Sequence, residues 1–402
     1  MTKKLTNQKA SKNSRGGKEK EEKSKMPSKK LAKKASKAQG SCKRQNKKSN
    51  NTKSQMSTKT TCSVDTTVTK QENTIGGSTK NNTHKKKAKE KWAGEEAAKI
   101  WVKGLDTLNL TAEYEEIKKM VVQVERCQIW QANMDKNRHK DYKCYDDNRV
   151  VVQMGKSDYI NASKINIPNF SRPAFLVQLP KLDNKDEVED FWRMIFNEQC
   201  SAVHLLAQSK ELEGGSYDKL FSQENGGYFY ANKFFVNTRK ADKNHDEKMD
   251  IHTVELLPEG CSNSVICQVY THYYWKAQGG PEKFYAPIKA ATAIAKVDVD
   301  KMPVAIVSLR GAGRNASLLT LAVVVSQFLE GTSPNIKDIV RIVREQRPMS
   351  VDSRTQYTSI YLAACWLLKA KIHNNDEVKQ RLKKFRDKFE TGASQMSQVT
   401  KE

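Results

Sequence analysis

The stretch from Pro303 to Phe328 constrains this 402-residue chain more than any other. Val304-Ala-Ile-Val-Ser308 reads as a buried strand, Leu309–Gly313 as a glycine-bearing loop, and the apolar run from Leu318 as a helix. A strand that turns into a helix through glycines aims successive backbone N–H groups and a helix N-terminus at one point, which suits an anion. Arg314 follows at once, with a guanidinium that can clamp such an anion through two parallel hydrogen bonds.

The net charge of +25 is unevenly spread. Residues 1–90 hold 26 Lys/Arg against 6 Asp/Glu and contain no Phe, Trp or Tyr, whereas the remainder is close to balanced. Without aromatics, and rich in Lys, Ser, Thr, Asn and Gln, residues 1–90 cannot bury enough apolar surface to offset their ordering entropy, and read as a disordered basic tail. Lysine clusters such as Lys85-Lys86-Lys87 suit nucleic acid, an anionic membrane or nuclear import, and equally a solubilising tail with no single target. No aromatic interleaves them, so base stacking is closed to the tail. The eight cysteines are scattered with no Cys-x2-Cys pair, which suggests reduced thiols and no metal site. No run approaches a membrane span and the N-terminus has no signal-peptide core, so we expect a cytoplasmic or nuclear protein.

From Trp92 onward the composition is globular. Ala97, Ile100, Trp101 and Leu105 have helical spacing, and a second helical segment runs from Thr111 to near Arg126. Strand-like runs follow at Arg149–Gln153, Ala174–Gln178, Ala202–Leu206, Gly227–Val236, Asp250–Leu257, Ser264–Tyr274 and Val304–Ser308. Helices are expected at Glu187–Gln199, Leu318–Glu330, Ile336–Glu345 and Ser353–Lys371. Asp376–Phe389 reads as a surface helix packing through Val378, Leu382, Phe385 and Phe389. The alternation fits an α/β (α+β) fold with a mixed sheet flanked by helices. We divide the chain into a tail (1–90), a globular domain (91–372) and a charged C-terminal helix and tail (373–402).

The spacing Ser308-x2-Gly311-x2-Arg314 resembles the phosphate loop of the protein tyrosine phosphatases, His-Cys-x2-Gly-x2-Arg-Ser/Thr. Other segments resemble that family in its own order. Lys136-Asn137-Arg138-His139-Lys140-Asp141 is similar to its recognition loop, and Asp146-x2-Arg149-Val150 follows. Then come Asp158-Tyr159-Ile160-Asn161-Ala162-Ser163, Gln178-Leu179-Pro180 and Asp190-Phe191-Trp192-Arg193-Met194. The resemblance covers about residues 95–372 and implies the family's highly twisted mixed sheet. Most of these residues are expected to be framework, since fold does not imply function.

In this family a Cys thiolate attacks the phosphate, an Asp of a Trp-Pro-Asp loop protonates the leaving group, and glutamines position water. Here Ser308 stands at the cysteine and Val307 at the preceding histidine. None of the eight cysteines has Arg six positions on, so no shifted motif replaces the site. The acid-loop counterpart runs from Trp275 to Pro281 with Ala277 at the acid, and Asp352 and Gln356 stand at the glutamines. The resemblance therefore implies a pseudophosphatase with no catalytic position intact at Ser308, Ala277 or Asp352, and no cofactor. A phosphate would meet Ser308, Gly311, Gly313 and Arg314, weakened by the negative Asp352. A phosphotyrosine peptide would meet His139, Asp141, Trp275 and Gln356. Arg310 is expected either to add charge to the pocket or to face solvent. The expected role is binding of phosphotyrosine or folded protein partners in signalling. A phosphatase with residual activity, and a tail-borne tether to nucleic acid or anionic membrane, stand as alternatives.

Overall fold

A computed structural model describes residues 92–244, 248–276, 279–296 and 302–399, with side chains to 389. The basic tail at 1–90 lies outside the described residues, and so does Ala277.

Helices α1 (Glu95–Gly104), α2 (Leu110–Lys118) and α3 (Gln128–Ala132) lead into strands β1 (Arg149–Val151), β2 (Tyr159–Ile167) and β3 (Phe170–Gln178). Then come α4 (Lys185–Asn197), β4 (Ala202–Leu206) and the meander β5 (Tyr228–Ala231), β6 (Phe234–Asp242), β7 (Met249–Pro258) and β8 (Val265–His272). The chain closes with α5 (Tyr285–Ala295), β9 (Val304–Ser308), α6 (Arg314–Leu329), α7 (Ile336–Gln346), α8 (Arg354–Lys371) and α9 (Asp376–Val399). The sheet order is β1-β2-β3-β9-β4-β8-β7-β6-β5. β9 runs parallel to β3 and β4, β4 runs parallel to β8, and the other pairs are antiparallel, so the sheet is mixed.

β9 is buried along its length because both faces are covered. Side chains alternate across a strand. Val304 and Ile306 therefore join the larger core, with α5, α6, α7 and α8, while Ala305 and Val307 join the second, around Phe191 and Trp192 of α4. Ser308 pairs in register with Gln178 on one side and Leu206 on the other, which fixes where the strand stops.

The structure corrects several expectations. The second N-terminal helix ends at Lys118, with only a 3-10 turn at Val124–Arg126 beyond it. Val121 and Val124 are exposed there, and stiff β-branched residues with nothing to pack against do not extend a helix. Ile100, read into the buried stripe of α1, is 65% exposed. Gly227–Val236 is two strands, because Asn232 turns the chain in a left-handed conformation (φ 51°). The 158–163 segment belongs to a full strand, β2, and α5 is a helix that its small residues concealed. α6 begins at Arg314, four residues before the apolar run. Its first turn is polar and yet buried, so hydrophobic periodicity could not mark it. Val378, Leu382 and Phe385 of α9 are buried against the larger core, as expected.

Candidate functional site

The loop between β9 and α6 is shaped from beneath by Arg347. This side chain is wholly buried; its Nε donates to the Gly311 carbonyl at 2.6 Å, and its two terminal nitrogens donate to Ser163 Oγ (3.1 Å) and Asn161 Oδ1 (2.5 Å). Asn161 in turn donates to Asn137 Oδ1 at 2.7 Å, which also accepts from the Tyr159 hydroxyl at 2.7 Å. Lys136 pairs with Asp190 at 3.0 Å. The 136–141, 158–163 and 190–194 segments are thus bound to one another as a frame, and Asn161 and Ser163 tie it to the loop.

Gly311 has φ +74°, and an added Cβ would stand 2.7 Å from the Gln178 backbone nitrogen and 2.5 Å from the Arg347 guanidinium. Only glycine fits there. Ser308 is 2% exposed, and its Oγ accepts from the Gly311 N–H at 3.2 Å. Among the described residues no carboxylate, imidazole or amine bonds to that hydroxyl. Gly313 caps α6 with no side-chain partner; the Ala316 amide already donates to Asn315 Oδ1 at 3.0 Å, which leaves the Arg314 and Asn315 amides of the first turn for other acceptors.

Arg314 is 3% exposed and does not stand free. Its terminal nitrogens donate to Glu211 Oε2 (2.7 Å) and Oε1 (3.0 Å), and one also donates to the Trp275 carbonyl at 3.2 Å. Glu211 ends a 3-10 turn, Ser209–Glu211, closed by a reciprocal capping box with Gln208. Sequence reasoning missed Glu211, because it lies 103 residues from its partner. The box, a Gln with Glu three residues on, was the available signal. Trp275 is buried, donates to the Gly279 carbonyl at 3.0 Å and pairs with Pro281 across an isolated bridge, holding both ends of the acid-loop counterpart. Beyond Pro281, Glu282 is held below the usual carboxylate range by Lys248 at 3.1 Å and stands ionised.

Asp352 lies against the loop. Its Oδ1 is 2.8 Å from where a Cβ on Gly313 would stand, and Gln356 Nε2 is 2.9 Å from that same point. Both atoms are buried with no hydrogen-bond partner. The other Asp352 oxygen accepts from the Tyr142 hydroxyl at 2.8 Å and faces Arg310 at 3.6 Å. Arg310 lies over the Tyr142 ring and bonds its hydroxyl at 3.2 Å, so it neither enters the loop nor faces open solvent alone. Burial, reinforced by the Asp352 charge, pushes the Tyr142 phenol up to about 12. Tyr142 is a second residue the sequence reading overlooked.

His139 meets Tyr142 edge to face with centroids 6.4 Å apart. Burial, then Arg310 and Arg138, hold its imidazole below the usual range, so it is neutral at pH 7, and its buried Nε2 has no partner. Asp141 is exposed beside it. Gln178 stitches the rim together, accepting from Arg138 N (2.8 Å) and donating to the Arg310 carbonyl (3.3 Å). The structure therefore brings Ser308, Gly311, Gly313, Arg314, Trp275, Asp352 and Gln356 to one place, with His139 joined to it through Tyr142 and Arg310.

A cysteine does lie in the frame. Cys144 is 1% exposed, with its sulfur 3.3 Å from Ser163 Oγ, three hydrogen bonds removed from the loop through Ser163 and Arg347. Among the described residues no cluster of His, Cys, Asp and Glu could hold a metal ion, and no helix is long and apolar enough to cross a membrane.

Two Caenorhabditis elegans proteins whose names place them among the tyrosine-protein phosphatases resemble this chain. One is 27% identical over 297 residues, the other 29% over 280 residues. These matches take in 73% and 67% of this chain, and 72% and 63% of theirs. The rat non-receptor type 20 tyrosine-protein phosphatase is 25% identical over 64% of this chain and 60% of its own length. Two solved structures share the fold. One is of PTPN18, with TM-score 0.56, 22% identity, and 68% of this chain and 99% of that chain covered. The other is the Trypanosoma cruzi phosphatase TcPTP1, with TM-score 0.57, 19% identity, and 67% and 98% covered. The protein-tyrosine phosphatase family model matches residues 133–366, more than half of the sequence and the whole of the frame and loop just described, so this chain belongs to the protein-tyrosine phosphatase family.

Proposed function

We propose that this chain is a catalytically inactive member of its family, one that holds phosphotyrosine-bearing or folded protein partners in signalling without turning phosphate over. The observation that carries this is Ser308: a buried hydroxyl at the nucleophile position whose described partner is the Gly311 N–H, with no group among the described residues to take its proton. A serine in that state is a poor nucleophile. The acid position holds Ala277, and no conformation of an alanine donates a proton. Each such group normally contributes a factor of about 10² to 10⁴.

Binding is a separate matter from turnover. Gly311 keeps the loop tight, the Arg314 and Asn315 amides of the first turn of α6 have no side-chain cap, and Gln356 Nε2 is a buried donor awaiting an acceptor. A neutral Ser308 also removes the thiolate that would repel a dianion. Asp352 opposes these, so affinity should be modest. The basic tail is proposed to add a sequence-independent, salt-sensitive tether to nucleic acid or anionic membrane, consistent with a cytoplasmic or nuclear location.

Isothermal titration of the full chain with a phosphotyrosine peptide, beside p-nitrophenyl phosphate turnover, tests the reading. Arg314→Lys keeps the charge on Glu211 but loses the fork. We expect no turnover, and phosphopeptide binding that weakens at least tenfold in the variant. Turnover lost on Arg314→Lys would instead establish residual phosphatase activity, and absence of binding in both proteins would leave a vestigial loop.

A further inference from the structure

Away from the β9–α6 loop but bordered by Lys276 and Gly279–Pro281 of the acid-loop counterpart, a groove of about 1800 Å³ opens between α5, α8 and the end of the described part of α9. Small-molecule sites usually measure about 300–1,000 Å³, so this is large for one. Its walls are two helical stripes. On α5 and its C-cap they are Tyr285, Ile288, Lys289, Thr292, Ala293 and Lys296, which is one helix face. On α8 they include Arg354, Thr358, Leu362, Trp366 and Ala370, an unbroken i,i+4 ladder. At 1.5 Å per residue the stripes run about 16 Å and about 24 Å. Phe284 and Phe389 add aromatic surface, and Tyr285 is 66% exposed.

The described rim is mainly basic: Lys276, Lys283, Lys296, Arg354 and Lys388 line the groove, and among the described lining residues the one acid, Glu282, is paired with Lys248 and Lys276. The cations are not gathered at one end: Lys283 precedes α5 and Lys296 follows it. A single-headed amphiphile needs a cation cluster at one end. A groove with cations along its length fits a ligand whose negative charges repeat along its length.

We infer that this groove docks an acidic amphipathic helix of a protein partner, about three turns long. A helix about 10 Å across and 18 Å long fills roughly 1400 Å³, in keeping with the space available. Its apolar face would lie on Tyr285, Ile288 and the part of Trp366 left open beside Lys369 and Arg386, which lie over its ring, and its glutamates or aspartates would meet the lysine rim, the helix-in-groove mode of recognition. The chain's own tail at 1–90 is excluded by like charge, and residues 390–402 carry only Glu390 and Glu402 as acids against Lys401. The inference stands apart from phosphate binding at Ser308 and Arg314.

The test is fluorescence anisotropy of the full chain with a labelled helical peptide of about 12 residues, bearing leucines at i, i+3, i+4 and i+7 and glutamates on the flanks. A control peptide carries lysines in place of the glutamates. We expect saturable binding of the acidic peptide alone, a shift in tryptophan fluorescence from Trp366, and weakening by high salt. Lys283→Glu with Lys296→Glu should cost about 100-fold in affinity. Ala293→Trp, on an exposed position of the groove wall, should block binding with the rim charges intact. Circular dichroism and urea midpoints equal to the parent's confirm that both variants fold. Equal binding of the basic peptide, or affinity indifferent to both variants, overturns the inference. So does saturable binding of sodium oleate with the same variant dependence when the peptide fails. Dimerisation of the chain alone, abolished by the charge reversals, would overturn it in favour of a second copy.

Discussion

Replacing Asp352 by asparagine removes a negative charge that sets this loop against a phosphate and, unlike Glu211, is not bonded to Arg314. The Asp352 side chain is only 7% exposed, so solvent screens it poorly, and its Oδ1 packs on the loop at Gly313. At an effective dielectric near 20, two unit charges at about 6 Å repel by roughly 3 kcal/mol. A phosphate monoester carries about 1.5 to 2 charges, while relaxation and residual water reduce the net effect. We therefore expect Asp352→Asn to tighten phosphotyrosine-peptide binding by about 10- to 100-fold. Asparagine still accepts from the Tyr142 hydroxyl, and Arg310, 3.6 Å from the carboxylate, is released to face the ligand. Calorimetric titration at low salt, repeated at high salt where the gain should persist because the charge is buried, provides the measurement. An affinity that is unchanged or falls, with the urea midpoint unaltered, refutes the reasoning and places the phosphate elsewhere.

Other outcomes follow from the same geometry. Ser308→Cys alone should give little p-nitrophenyl phosphate turnover; combined with Ala277→Asp it should gain about 100-fold or more, since the acid is then restored. Gly311→Ala forces a side chain into the Gln178 backbone at a positive φ and should cost about 3 kcal/mol in urea denaturation. Arg347→Met leaves the Gly311 carbonyl, Ser163 and Asn161 without their donor and should cost about 1 to 3 kcal/mol, read the same way. His204 and His272 are buried with their ring nitrogens 3.0 Å apart, and burial holds His204 well below the usual range and His272 at about 3. Their folded values lie below the unfolded value near 6.5, so the stability they contribute is complete above pH 6.5 and lost as pH falls toward the folded values. Each ring should cost up to about 1.4 kcal/mol per pH unit in that window, and His272→Leu should flatten the slope of stability against pH.

What the sequence made legible follows from how far apart the interacting residues lie. β4, β9, α7 and α8 carry apolar runs or periodicity of their own and were readable within a few residues. The loop was readable because Ser308, Gly311, Gly313 and Arg314 are neighbours in the chain. α5 was not, since Ala, Thr and Pro give no apolar stripe. Glu211 and Tyr142 reach the site only through tertiary structure, 103 and 168 residues from their arginines. Nor could the sequence tell that Arg310 would be occupied by Tyr142 and Asp352. The framework motifs carried the fold because they bond one another, whereas none of them contains a reacting group.

The wholly buried Arg347 has a consequence for inheritance. Because its guanidinium fastens the Gly311 carbonyl to β2, a lineage that drifts at Gly311 or Arg347 loses folded protein. A cell that never again needed phosphate hydrolysis would still discard variants of Gly311 or Arg347, through degradation of chains that fail to accumulate. Persistence of the loop's outline across descendants would then record protein abundance, and Ser308, whose hydroxyl supports so little else, is the position where the record of chemistry could be overwritten.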